Sequence, residues 1–136
     1  MDVTLLRSSF DTVRPIADEA AKAFYSTLLN TYPQVRPLFA NTDFDSQRTN
    51  LMQSLAAIVT LVDKPDEMGA LLTKLGHTHK GYNVTPEMYE FVSASLLGTL
   101  VGALGNDWTP ETASTWVDAL HAVSAAMIEA QNSAAT

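Results

Sequence analysis

The chain has three histidines, and two of them, His77 and His79, stand close enough to raise the question of a shared metal site. Residues two apart on a helix point to nearly opposite faces, so these two cannot readily hold one ion together. His79 follows Leu71 by eight positions and Leu75 by four, which carries it onto the apolar face of its helix, whereas His77 falls away from it. Spacing alone leaves two readings of His79 open, a metal ligand and a hydrogen-bonded core histidine. His121, beside Leu120 in the last helical pattern, reads as a boundary residue without a function.

The remaining reactive groups exclude more chemistry than they suggest. There is no cysteine, which removes disulfides, iron–sulfur clusters, thiolate zinc sites and covalent haem attachment. Glu87, Glu90, Glu111 and Glu129 fit helix caps or solvated faces, and no carboxylate pair sits amid apolar residues as an acid–base couple would. Phosphate-binding loops and nucleophile elbows are missing. Tyr25 follows Phe24 in a helical pattern and can turn its phenol inward. The spacing of Gly98 and Gly102 suits close contact between helices of a folded core.

A net charge of −7 gives no electrostatic footprint for nucleic acid or for anionic membrane surfaces, and neither is expected as a partner. The first ten residues carry Asp2 and Arg7 within their apolar pattern, and the longest apolar run, Leu55 to Val62, is too short to span a bilayer. A cytoplasmic location is the expectation.

Helical periodicity covers most of the chain. Val3, Leu6, Phe10 and Val13 recur at helical spacing until Pro15 interrupts the backbone ladder. Ala20, Phe24 and Leu28 fall four apart, with Asp18, Glu19 and Lys22 on the other side, which predicts an amphipathic helix from Ile16 to Leu29. Between Pro33 and Asp45 two prolines and several turn formers predict a compact loop with one short helical turn. Ser46 then caps a helix through Leu51, Leu55, Ile58 and Val62, and Met68, Leu71, Leu72 and Leu75 predict a shorter one that passes His79 and ends near Gly81.

Two further helices share one opening. Thr85-Pro86-Glu87 and Thr109-Pro110-Glu111 each offer a capping hydroxyl, a proline in the first helical position and an acid at the positive end of the dipole. The polar tail from Gln131 to Thr136 is expected to fray. No segment alternates with period two, so the fold class is all-α, with about six helices in a single domain over residues 1–136.

Several of these features fall in a known order. Tyr25, the run PQVRPLF ending at Phe39, Gln47 with Leu51 four later, LGHTHKGYNV containing His79, TPEMY ending at Tyr89, and Trp116 in the last helix together resemble bacterial haemoglobins. The similarity runs through nearly the whole chain and is greatest to the globin domain of flavohaemoglobins and the single-domain haemoglobins related to it. The early proline-bearing loop agrees with a globin fold, since an up-and-down bundle uses shorter connections.

The resemblance implies non-covalent haem b, with His79 as the proximal iron ligand and Phe39 packed on the porphyrin. Tyr25 and Gln47 would be the distal polar residues, in the catalytic position, with Leu51 as the apolar wall beside the ligand. Leu55, Leu75, Val84, Tyr89 and Leu96 would complete the cofactor pocket. The expected small ligands are O2, NO and CO, and a phenol and an amide aimed at a polarised ligand would slow its release.

Two departures from the family pattern bear on chemistry. Flavohaemoglobins continue into a flavin and nicotinamide reductase, so turnover of NO here would need a separate electron donor. Behind the proximal histidine the family places a tyrosine and a glutamate. Tyr89 matches the first, but Gln131 stands where the glutamate is expected, and a neutral amide pushes less electron density toward iron. Reversible gas binding is the leading expectation, with NO detoxification as an extension. A gas sensor and an O2 storage or delivery protein are the alternatives.

Overall fold

Asp2 starts the first helix by accepting the Leu5 amide at 3.0 Å, and Pro15 ends it by withholding a donor. The computed structural model describes residues 2–81 and 84–134, with backbone alone at residues 79–81 and 133–134. Among these, the order is α1 (Val3–Val13), α2 (Ala17–Thr31), α3 (Phe44–Leu61), α4 (Pro65–Gly81), α5 (Pro86–Leu104) and α6 (Pro110–Ala134). Three 3-10 segments, Arg14–Ile16, Pro33–Phe39 and Gly105–Asp107, join them, and no strand occurs among the described residues. The all-α expectation holds.

The two threonine caps form as expected. Thr85 Oγ1 accepts the Met88 amide at 3.4 Å, and Thr109 Oγ1 accepts the Thr112 amide at 3.1 Å. The cap of α3 differs from expectation. The helix begins at Phe44, and Asp43 is the N-cap, accepting the Asp45 amide at 3.0 Å. Ser46 lies inside the first turn and donates its hydroxyl to Asp43 Oδ2 at 3.1 Å. A carboxylate is the stronger acceptor for these amides, so the aspartate takes the cap.

The proline-bearing stretch is more regular than its composition suggests. Pro33–Phe39 forms a 3-10 helix of seven residues, which brings Phe39 and Phe44 together as stacked rings 5.9 Å apart. At the other end of the chain α6 is helical through Ala134, and residues 135 and 136 of the stretch expected to fray lie outside the described residues. Gln131 is held by hydrogen bonds to Tyr89 and Val84, which offset the cost of ordering these residues.

Helix α4 packs along α6, α2 along α5, and α3 on α2, while α1 rests on α6. Trp116 of α6 donates its indole N–H to Ser9 Oγ of α1 at 2.8 Å, satisfying both buried groups. Helix α5 is the one described helix long and apolar enough, by length and composition, to cross a membrane. In this fold its Tyr89, Leu96, Leu100 and Leu104 are buried against other helices.

Because α3 and α4 pack chiefly on different partners, the apolar interior divides. The larger cluster contains Phe24, Tyr25, Leu55, Leu96 and Trp116, with Phe39, Phe44 and Leu51 half-buried against it. The smaller contains Leu72, Tyr89 and Met127, with Leu75 and Val84 half-buried. A domain of this length normally carries one contiguous core.

The approach of α4 to α6 depends on Gly76. A Cβ at this position would lie 2.7 Å from the Met127 carbonyl oxygen and 2.8 Å from Ala130 Cβ, both inside van der Waals contact. Gly76→Ala is therefore expected to lower unfolding free energy by about 1–3 kcal/mol, the cost of overpacking outweighing alanine's better helix propensity. Urea titration checks this; a variant as stable as the parent would mean that the two helices separate without cost.

Candidate functional site

Tyr25 lies in the middle of α2 with 6% of its surface exposed, enclosed by three aromatic rings. Phe24, Phe39 and Phe44 meet it edge-on at centroid distances of 4.8, 5.8 and 5.5 Å. Among the described residues, the one side-chain hydrogen bond at its hydroxyl comes from Gln47 Nε2 of α3, which donates at 3.0 Å. Since Gln47 supplies that proton, the Tyr25 oxygen acts as acceptor and its own hydrogen remains for a further partner. Burial raises the Tyr25 pKa, with the Gln47 bond pulling the other way, so the phenol stays protonated at neutral pH.

Arg48, next to Gln47, fixes the start of α3 above α2. Its guanidinium reaches Asp18 of α2 at 2.9 Å and also pairs with Asp45 one turn earlier. The Arg48 hydrogen bond holds the Asp18 carboxyl below its ordinary range. Neither Phe44 nor Arg48 was among the residues expected at the site. Phe44 carried a signal as the second aromatic of the proline-bearing stretch, while Arg48 carried none beyond its charge.

The expected pocket residues distribute over both halves of the divided core. Phe39, Leu51, Leu55 and Leu96 belong to the larger cluster, with Tyr25 and Gln47 on the same side. Leu75, Val84 and Tyr89 belong to the smaller one, along α4, α5 and α6. His79 lies within the span of α4, one helical turn beyond Leu75, and its side chain falls outside the described residues.

On this second side Tyr89 is buried, and its hydroxyl donates to Gln131 Oε1 of α6. Gln131 Nε2 in turn donates to the Val84 carbonyl at 2.9 Å. Burial pushes the Tyr89 phenol up to about 12. The register that puts Gln131 opposite Tyr89 is the one expected from counting along the last helix. A surface groove of about 370 Å³ lies elsewhere, lined by Phe10, Arg14, Met52 and Ala56 among others, and no expected site residue borders it.

This arrangement fits a flat apolar cofactor. Large apolar side chains of both clusters stand half-buried, and a flat apolar group in contact with both would join them into one core. Among the described residues no group of three or more His, Asp or Glu could hold a bare ion.

Comparison with known proteins agrees with the all-helical fold. The sequence model of the globin family, described as Globin, matches residues 22–127. A flavohemoprotein of Pseudomonas aeruginosa is 33% identical over 113 residues, covering 81% of this chain and 29% of the relative. One from Deinococcus radiodurans is 26% identical over 117 residues, covering 85% of this chain and 29% of the relative. The chain thus spans under a third of the length of these relatives.

Among solved structures, a Pseudomonas aeruginosa protein described as structurally highly homologous to a human hemoglobin superposes with a TM-score of 0.84 at 22% identity, covering 95% of this chain and 97% of that one. A hexacoordinated heme protein from an anhydrobiotic tardigrade superposes with a TM-score of 0.87 at 17% identity, covering 96% of this chain and 93% of that one. At these identities the likeness is one of fold.

Proposed function

The chain belongs to the globin family, and from that premise we propose that it is a cytoplasmic haem b globin that reversibly binds O2 and other diatomic gases, with His79 as the axial ligand. The observation that carries the reading is the divided core, with the hydrogen-bonded Tyr25–Gln47 pair on one side and the helix of His79 on the other. When bound, the haem supplies a ferrous iron that takes up a diatomic ligand and shifts negative charge onto it.

The chain's own residues perform the rest. Phe39, Leu51 and Leu55 of the larger cluster and Leu75 and Val84 of the smaller would hold the haem and keep water from it. His79 offers a neutral imidazole. Gln47 donates to the Tyr25 oxygen, which leaves the Tyr25 hydroxyl hydrogen to donate to the ligand. In a water-poor pocket such a donor acts on developing charge with little reorganisation, and the protonated phenol keeps it available at neutral pH. Release of a charge-bearing ligand is therefore slow.

With a flavin reductase, on the same polypeptide or separate, the same pocket supports conversion of NO and O2 to nitrate, which consumes a single electron overall. The relatives named flavohemoprotein support this extension over storage or sensing. Haemin titration of the chain is expected to saturate at equimolar haem, and the reduced complex to take up O2 reversibly. Failure to saturate would overturn the reading.

A further inference from the structure

Helix α5 has the composition of a helix covered on every side, yet only 28% of its most apolar 18-residue stretch is buried. Ala94, Gly98, Val101 and Gly102 are exposed, and Leu97 is half-buried. The close helix contact expected from the spacing of Gly98 and Gly102 does not form within the chain, because a Cβ at either glycine would meet nothing within 4 Å. A strip of bare α5 backbone therefore stands open to an incoming side chain.

Among the described residues Ile16, Val101 and Val117 are the large apolar side chains left exposed, and the two valines fall together. Helices α5 and α6 are joined by residues 105–109 and touch again where the Ser93 and Ser124 hydroxyls approach to 3.5 Å, so they run side by side. Val101 lies eight residues from Ser93 toward the joining turn, and Val117 lies seven from Ser124 in the same direction, about two helical turns in each case. Both valines thus stand at one height along the seam, close to the side of each helix that carries its serine. They are 45% and 47% exposed, and with Leu97 and the open glycine strip they make a shallow apolar seam.

The charge around this seam has one sign. No lysine or arginine follows Lys80, whereas six of the 15 acidic residues do. Glu90 lies one turn before Ala94 on α5, Asp107 lies in the joining turn, and Glu111 and Asp118 fall seven apart on α6, with Asp118 beside Val117. All four are exposed, and none is in an ion pair among the described residues, although Asp11, Asp18, Asp45 and Asp63 in the first half of the chain are paired. An apolar centre inside an unpaired acidic rim is complementary to an apolar centre inside a basic one. A second copy of the chain would set acid against acid, and an anionic bilayer would meet the same repulsion.

We propose that the α5–α6 seam is a docking surface for a protein that presents an apolar helix flanked by lysine or arginine. Apolar side chains one turn apart on the partner would lie along Leu97, Val101 and Val117, approaching closely where Gly98 and Gly102 leave the backbone bare, and the flanking cations would meet Glu90, Glu111 and Asp118. The surface is independent of haem, since none of these residues belongs to the expected cofactor pocket.

The test titrates two synthetic helical peptides with one apolar spacing, the first flanked by lysine and the second by glutamate, into the isotope-labelled chain at low salt. The lysine peptide should shift the amides of residues 94–102 and 114–121 and bind about tenfold more tightly than the glutamate peptide, an advantage that fades in high salt. Val101→Gln and Gly98→Gln change exposed positions where the fold has room, and each should weaken binding by about tenfold, as should Asp118→Lys. Equal affinity for the two peptides, no binding of the lysine peptide at millimolar concentration, shifts elsewhere on the surface, or parental affinity in all three variants would overturn the proposal. Sedimentation should show a monomer, and phosphatidylglycerol vesicles should not carry the chain upward in flotation. A dimer that Val101→Gln dissociates would instead make a second copy the occupant, and flotation lost in the same variant would make it a membrane.

Discussion

Tyr25→Phe is expected to speed O2 release from the reduced, haem-loaded protein by about 10- to 150-fold. The variant keeps the ring that packs against Phe24, Phe39 and Phe44, so the aromatic enclosure survives. What it removes is a hydroxyl whose proton is free to donate because Gln47 has already supplied the other hydrogen of the pair. A hydrogen bond to a charged acceptor contributes about 1.5–3 kcal/mol, and each 1.4 kcal/mol is a factor of ten, which gives the range.

The same polarity orders the neighbouring variants. Gln47→Leu leaves the Tyr25 hydroxyl in place and removes only the group that directs it, so its effect should be smaller. CO, which accumulates less charge than O2, should respond weakly to either change. Stopped-flow displacement of O2 measures all of this. An unchanged dissociation rate in Tyr25→Phe would remove the phenol from the mechanism, and a larger effect from Gln47→Leu would reverse the assigned direction of the bond.

Local signals and tertiary facts were not equally legible in the chain. Thr85 and Thr109 could be read as caps because hydroxyl, proline and acid stand side by side, and the capping bond spans three residues. At the start of α3 two candidate oxygens, Asp43 and Ser46, compete within one turn, and only the backbone path decides which reaches the amides. Pattern alone placed Tyr25 and Gln47 on different helices. Their hydrogen bond spans 22 positions, and the order of family features, rather than periodicity, suggested that they meet.

Gln131 was legible through the order of family features alone. In a run of small and polar residues it looks like part of a frayed end, yet its partner Tyr89 lies 42 positions away and orders it. Composition cannot reveal such a partner. The divided core is equally hidden, because each helix has a proper apolar stripe and only the pairing of helices shows that the stripes form two clusters.

The account's central claim is that His79 holds haem iron. The most direct test is the ultraviolet–visible spectrum of the haem-supplied protein in ferric, dithionite-reduced and CO-bound forms, for the parent and for His79→Ala. Removing the imidazole should abolish or alter the Soret band and its shifts, and adding free imidazole should restore part of the parental pattern by occupying the vacated position. A parent that passes through three distinct Soret maxima and a variant that does not is the predicted result. A variant with the parental spectra would contradict His79 as the ligand, and a parent without specific haem uptake would contradict the haem assignment itself.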